Sequence, residues 1–225
     1  MKDGPDIAHI AALIGDPARA NMLTALMGGM ALTATELAAE AGVTKQTASS
    51  HLSKLEAGGL LAIRKQGRHR YYQLADTDVA HLLESLMGVA VRAGHMRHRP
   101  GPKDPALRHA RVCYDHLAGD MGIRLYESLL AKGHIAEQAG EPRLTDGGKT
   151  FISGLGLPLE TLAAHRRPLC KACLDWSERR THLAGSLGAA LLDHIYANGW
   201  AKRRDSSREV IFTASGKQAF EACFG

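Results

Sequence analysis

The chain has no run of about 18 apolar residues, the length at which a membrane-spanning helix becomes a candidate. Its opening residues, MKDGPDIAHI, do not form a charged segment followed by an apolar one. A soluble, cytoplasmic protein without a membrane partner is therefore expected. Cysteine is scarce as well. Four cysteines in 225 residues are too few for a disulfide scaffold, and in a reducing compartment they are thiols or metal ligands first. There is no Gly-rich phosphate loop, no G-x-S-x-G and no H-E-x-x-H, so the common phosphoryl-transfer, esterase and zinc-protease signatures are missing.

What the chain does have is enough apolar content for a core, with 45% hydrophobic residues and a mean hydropathy of −0.17. Its length exceeds a single module of roughly 100 residues, so a second domain is expected. The net charge of +5 and pI near 9.1 favour an anionic partner without naming it.

The most informative stretch runs from Thr33 to Leu74, TATELAAEAGVTKQTASSHLSKLEAGGLLAIRKQGRHRYYQL. Ala34 to Glu40 reads as a short helix with Leu37 inward, and Gly42 falls where a turn needs positive φ. Thr44 can cap a second helix whose Ala48, Leu52 and Leu55 recur as a buried stripe. The face left over carries Thr44, Lys45, Gln46, Thr47, Ser49, Ser50, His51 and Lys54, with no acid before Glu56. Hydroxyls and amides of this kind meet base edges in a major groove, and lysines meet phosphate. Leu60, Leu61 and Ile63 then lead into a hairpin turning at Gly67, with Arg64, Lys65, Arg68, His69 and Arg70 around its tip and Tyr71, Tyr72 and Leu74 on its return. Such a tip can lie along a phosphate backbone or be merely solvated; joined to the helix pair it reads as a DNA-contacting wing, with Tyr72 counted among the contacts.

These residues resemble the ArsR/SmtB type of bacterial winged-helix repressor. Ile14-Gly15-Asp16-Pro17-Ala18-Arg19 is similar to that family's "LGDPTR" helix start, and the stretch above follows its recognition helix and wing. The resemblance covers residues 7 to 90 and implies a homodimeric repressor on a double-stranded operator, released by an effector. The family's own metal sites are not matched. Glu36-Leu37-Ala38-Ala39-Glu40 stands where one type has paired cysteines. Asp76 and Asp78 match the start of the other, but Val89 and Arg92 replace its later His and Glu.

Around this module, Asp6 to Ile14 reads as a helix with Ile7, Ile10 and Leu13 inward, and the next helix, from Pro17, turns Met22, Leu23 and Leu26 inward. Thr77 to Ala93 carries Val79, Leu82, Leu83, Leu86, Val89 and Ala90 as a broad apolar face. That face is either a dimer interface or core. The domain is expected to span 1–94, followed by a Pro-, Gly- and Arg-rich linker over 95–105; His95 and His98 in or near it read as solvated rather than as ligands.

Residues 106–225 contain an internal repeat, at about 110–160 and 170–225. The segment from His116 through Gly119, Gly122, Leu125, Leu129 and Gly133 reappears from His182 through Gly185, Gly188, Leu191, Ile195 and Gly199, and Leu144-Thr145-Asp146 is echoed by Phe212-Thr213-Ala214. Each copy reads as helix, glycine stop, hairpin and Thr-capped helix. The expected fold is thus mainly α with small β-hairpins: a winged helix-turn-helix followed by a regulatory domain of two degenerate winged-helix-like repeats.

Candidate chemistry sits just ahead of the repeated helices. Cys113, Asp115 and His116 match Cys173, Asp175 and His182, and Cys170 adds a Cys-x2-Cys spacing. Cys113-x2-His116 with Cys170-x2-Cys173 would form a tetrahedral set for zinc or another soft cation. The same cysteines can equally be buried and inert, respond to redox, or line a small-molecule pocket with Trp176. Two functions follow: a DNA-binding repressor tuned by an unknown metal, redox or small-molecule effector, or a thiol-dependent enzyme using Cys113 or Cys173. The first is favoured.

Overall fold

The computed structural model describes residues 4–67, 69–95, 104–175, 177–205 and 207–225. The chain divides into two compact units, residues 1–86 and 87–225.

In the first unit, α1 (Ile7–Ile14) and α2 (Pro17–Leu26) are followed by β1 (Leu32–Thr33), α3 (Ala34–Ala41), α4 (Lys45–Ala57), β2 (Leu61–Gln66) and β3 (His69–Leu74); α5 (Thr77–Arg92) runs on from it. Local chemistry sets the boundaries. Asp16 caps α2 by accepting from the Arg19 amide at 2.9 Å, with Pro17 in the first turn. Thr33 and Glu36 form a reciprocal capping box on α3, Gly42 ends it, and Thr44 caps α4. Met22, Leu23 and Leu26 of α2 are buried with Leu37 of α3 and Ala48, Leu52 and Leu55 of α4. The sheet order is β1-β3-β2, antiparallel, with Ile63 opposite Tyr72 and Lys65 opposite Arg70.

Two faces differ from the expectation of inward packing. Ile7 is 80% exposed, so α1 contributes Leu13 to the core but not its first turn. On α5, Val79 and Leu83 are buried while Leu82, Leu86 and Val89 are 37%, 42% and 52% exposed. The apolar face of α5 is wider than the surface it covers within one chain.

The second unit begins with α6 (Pro105–His109). The succession hairpin, helix, hairpin, helix then occurs twice. The first pass is β4 (Arg111–Cys113), β5 (His116–Ala118), α7 (Asp120–Ala131), β6 (Ile135–Gln138), β7 (Glu141–Leu144) and α8 (Asp146–Gly154). After α9 (Leu159–Ala163) come β8 (Lys171–Leu174), β9 (Thr181–Ala184), α10 (Gly185–Ala197), β10 (Ala201–Arg203), β11 (Val210–Phe212) and α11 (Ala214–Phe224). The residues that open the repeated segment, His116–Ala118 and His182–Ala184, are strands and not helix. Gly119 and Gly185, at φ 80° and 87°, make the bend from strand into helix that a residue with a Cβ resists. Both passes feed one core: Leu125, Leu129 and Ile152 belong to the same cluster as Leu191, Ile195 and Phe220.

The two passes meet through their first hairpins and long helices. A Cβ on Gly122 of α7 would lie 2.3 Å from the Leu117 carbonyl oxygen and 3.6 Å from the His182 Cβ; on Gly188 of α10 it would lie 2.4 Å from the Leu183 oxygen and 3.4 Å from the His116 Cβ. Each glycine thus lets the histidine of the other pass come down onto its helix.

Gly188→Ala is expected to destabilise the protein by about 1–3 kcal/mol through overpacking against backbone. Gly154→Ala, where nothing lies within 4 Å, should be neutral or stabilising by up to about 1 kcal/mol through helix propensity. Urea denaturation of both variants checks this; the reverse ranking would show that the close approach is not constraining.

Candidate nucleic-acid interface and cysteine–histidine cluster

Helix α4 buries Ala48, Leu52 and Leu55 and leaves Thr44, Lys45, Gln46, Thr47, Ser49, Ser50 and Lys54 exposed. Two hydroxyls are satisfied locally, Ser49 Oγ donating to the Lys45 carbonyl at 3.0 Å and Thr47 Oγ1 lying 2.9 Å from Thr44 Oγ1. His51 stands apart from this face. It is half-buried, with Nδ1 3.3 Å from Arg19 Nη1 and 3.9 Å from Asp16 Oδ1, at the edge toward α2. Arg19 also donates to the Leu13 and Ala12 carbonyls at 2.6 and 2.8 Å, stitching α1 to α2. Its structural role was visible in sequence only as the last residue of the Gly-Asp-Pro-Ala-Arg start.

On the wing, Arg64, Lys65, His69 and Arg70 are exposed; Arg68 lies outside the described residues. Tyr72, expected among the DNA contacts, is only 8% exposed. Strand alternation explains the difference: Tyr72 sits opposite Ile63 and Leu32 on the core side, and Tyr71 pairs with Arg64 on the next rung.

In the second unit, Cys113 lies directly across the β4–β5 ladder from His116, and Cys173 across the β8–β9 ladder from His182. One ligand atom from each of these four residues lies within 4.8 Å of every other. His116 Nε2 and His182 Nε2 are 3.1 Å apart, and the rings stack with centroids 5.0 Å apart. Both histidines are buried and both thiols half-buried. His116 Nδ1 lies 3.2 Å from Asp115 Oδ1, an arrangement that keeps the proton on Nδ1 and turns the Nε2 lone pair toward the cluster. His182 Nδ1 is buried without a hydrogen-bond partner. A hydrogen bond with Cys173 and the charge of His116, against burial, hold the Cys113 thiol well below its ordinary pKa. Burial pushes His182 down.

Cys170 is not one of the four. Burial raises its thiol to about 11 and it packs against the apolar core, and the cluster contains His182 where the Cys-x2-Cys spacing placed Cys170. Trp176 lies outside the described residues. Its charged neighbours are occupied with other charges: Glu178 accepts from Arg108 Nε at 3.2 Å, and Arg180 donates to Glu127.

The two aspartates anchor the cluster rather than join it. Asp115 also accepts from Arg167. Burial would raise the Asp115 carboxyl, but the hydrogen bonds from His116 and Arg167 hold it below its usual value. Asp175 is fully buried. Both its oxygens accept from Arg111 Nη2 at 2.7 Å, and it takes further hydrogen bonds from the Gly119 amide, at 2.7 Å, and the Ser177 hydroxyl, at 2.6 Å. Burial alone would raise its pKa; the Arg111 charge and these donors instead lower it from 3.8 to about 2. Arg111 and Arg167 were not singled out by sequence, although each is an arginine shortly ahead of its cysteine.

A polar recognition helix behind a capped turn, with a basic hairpin after it, defines a winged helix-turn-helix protein. The helix-turn-helix domain family matches residues 14–64. The chain is 42% identical over 217 residues to the HTH-type transcriptional regulator YdfF of Bacillus subtilis (strain 168), covering 96% of each chain. It is 35% identical over 85 residues to the HTH-type transcriptional regulator CmtR of Mycobacterium tuberculosis (strain ATCC 25618 / H37Rv), covering 38% of this chain and 71% of that one. Among solved structures it is similar to the homodimeric winged helix-turn-helix DNA-binding domain Mb0332 of Mycobacterium bovis, a possible ArsR-family regulator. That likeness has a TM-score of 0.37 and 26% identity and covers 44% of this chain and 98% of that one. The chain belongs to the HTH-type transcriptional regulators, and its match to YdfF extends through the second unit.

Asp175 binds its proton more weakly in the native protein than in the unfolded chain. Its contribution is therefore complete at neutral pH and is lost as pH falls from 3.8 toward about 2, a change of about 2 kcal/mol. Asp175→Asn, which leaves Arg111 buried without its counter-charge, should cost about 3–5 kcal/mol at pH 7 and remove that acid-sensitive component. Urea denaturation at pH 7 and pH 3 reads both; wild-type stability in the variant would contradict the assignment.

Proposed function

We propose that the protein is a cytoplasmic repressor that binds a two-fold operator as a homodimer, with affinity set by an effector sensed in residues 87–225. The observation that carries the DNA-binding reading is the exposed face of α4 with the wing: hydroxyls, one amide and lysines, with no carboxylate between Thr44 and Lys54, next to Arg64, Lys65 and Arg70. Gln46 and the hydroxyls are suited to base edges and the wing cations to phosphate.

The dimer reading rests on α5. Leu82, Leu86 and Val89 follow the i, i+4, i+7 spacing of one helix face and are exposed in the single chain. A second copy of the same helix, related by a two-fold axis, would cover them and set two recognition helices for a two-fold operator.

The second unit reads as two degenerate winged-helix-like copies that have exchanged DNA binding for mutual packing. In support, Thr145 and Thr213 cap the matching helices α8 and α11 by accepting from the Gly148 and Gly216 amides. The helices in the recognition position are poor readers of DNA: Lys149 of α8 is paired with Asp146 at 2.8 Å, and α11 carries one lysine, Lys217. Sensing is the role this unit has chemistry for, in its cysteine–histidine cluster.

Binding of the full-length protein to its own promoter, followed by fluorescence anisotropy, tests the DNA reading. Gln46→Ala should weaken the cognate site by about 1–3 kcal/mol while sparing unrelated DNA. Arg70→Ala should weaken all sequences alike and lower the salt slope by about 0.9. If neither variant changes affinity, α4 and the wing are not the interface. Leu86→Glu should shift the protein to monomer in analytical ultracentrifugation; an unchanged dimer would place the interface elsewhere.

A further inference from the structure

We propose that Cys113, His116, Cys173 and His182 form a four-coordinate site for one zinc-class cation, seated where the β4–β5 and β8–β9 hairpins meet. Two thiols and two imidazoles are the soft and borderline donors that select zinc over calcium or magnesium. In a tetrahedral zinc site the metal–ligand distances put neighbouring donor atoms about 3.3–3.8 Å apart. Here the two Nε2 atoms are 3.1 Å apart and no pair among the four exceeds 4.8 Å, so closing on an ion needs shifts of about 1 Å or less. Each hairpin supplies one cysteine and one histidine from directly opposed positions, and four protein ligands leave no open position for a substrate. The site is a structural or sensing one.

Proton placement points the same way. With Asp115 accepting from His116 Nδ1, the facing Nε2 carries a lone pair in the neutral ring. If His182 donates to it from Nε2, then His182 Nδ1 keeps a bare lone pair, buried and unpartnered. If the proton is on Nδ1 instead, two lone pairs face each other at 3.1 Å and a buried N–H has no acceptor. His182 Nδ1 is unpartnered in either neutral form, so it is the facing Nε2 lone pairs of the second form that call for a cation between the rings. A cation held by the ring nitrogens and two thiolates removes the lone-pair conflict. The carboxylate on His116 is the outer partner that metal-bound imidazoles ordinarily have, and Arg167 in turn holds that carboxylate. That the cation is also the effector rests on the repressor reading above.

Cobalt(II) titration into the full-length protein, stripped with chelator under reducing, anaerobic conditions, tests the site. One equivalent per chain should produce the visible bands of tetrahedral cobalt and a thiolate-to-cobalt band in the near ultraviolet, both abolished by zinc. Cys113→Ser and Cys173→Ser should each remove about half of the thiolate band or more, and His182→Gln should weaken zinc binding by about tenfold or more. Cys170→Ser should leave spectrum and affinity unchanged. Far-UV circular dichroism identifies any variant that fails to fold, and the wild-type spectrum then decides. A folded wild-type protein without a thiolate band, or equal losses in Cys170→Ser and Cys173→Ser, would overturn the site. So would a Cys113–Cys173 disulfide forming in place of metal uptake. Operator affinity with and without zinc separates the two readings: a change of about tenfold or more, within the usual range of allosteric coupling, supports control by the ion. A normal cobalt spectrum with unchanged operator affinity keeps the site as a structural clip and overturns its role as sensor. Failure to bind any operator in either state overturns the repressor reading alone.

Discussion

The second unit depends on one buried ion pair. Arg111 and Asp175 are 2% and 0% exposed at their side chains and 64 residues apart in sequence. Removing either leaves a charge in a low-dielectric interior, so the pair acts less as a source of net stability than as a condition on geometry. To satisfy Asp175, the turn after β8 must lie against β4 and the Gly119 amide. That requirement holds the two hairpins side by side, and Gly122 and Gly188 allow the close approach. The strain at Tyr114, a non-glycine residue at φ 59° in the β4–β5 turn, is of the kind that persists only where the surroundings over-determine a segment. The cysteine–histidine pairs are what this clamp brings together.

The first unit obeys a different logic. Its core is made by α2, α3 and α4 around Leu37, Leu52 and Leu55, and ordinary caps and turns are enough to fold it. That leaves two surfaces free of internal duty. One is polar and basic, on α4 and the wing; the other is apolar, on α5. A helix-turn-helix needs both kinds of surface, because a single small module contacts too few bases to be selective, and two-fold pairing doubles the readout.

Much of the first unit was legible in the sequence because its signals are local. Thr33, Gly42 and Thr44 mark helix ends through side-chain and φ preferences that act within a few residues. Tyr72 was misplaced because period-2 alternation fixes which side of a strand each residue takes only once the register is known. In the second unit the repeat is visible, but the strands that carry His116 and His182 are not, since strands of three and four residues show too little alternation to stand apart from the helices that follow the bends at Gly119 and Gly185. The cysteine–histidine cluster was partly legible from the repeat itself. The repeat aligns Cys113 with Cys173 and His116 with His182, the very set that converges, while the familiar Cys-x2-Cys spacing drew attention to Cys170. Arg111 and Arg167 were silent, because their value comes from aspartates more than 50 residues away.

Reading of DNA by the first unit as a two-fold pair can be measured by selecting bound fragments from the source genome with the full-length protein and sequencing them. A two-fold pair of recognition helices should enrich a two-fold-symmetric sequence with half-sites about 10 base pairs apart, centre to centre, or a multiple of that spacing. Recovery of fragments without a shared sequence, or of a single unrepeated half-site, would contradict it.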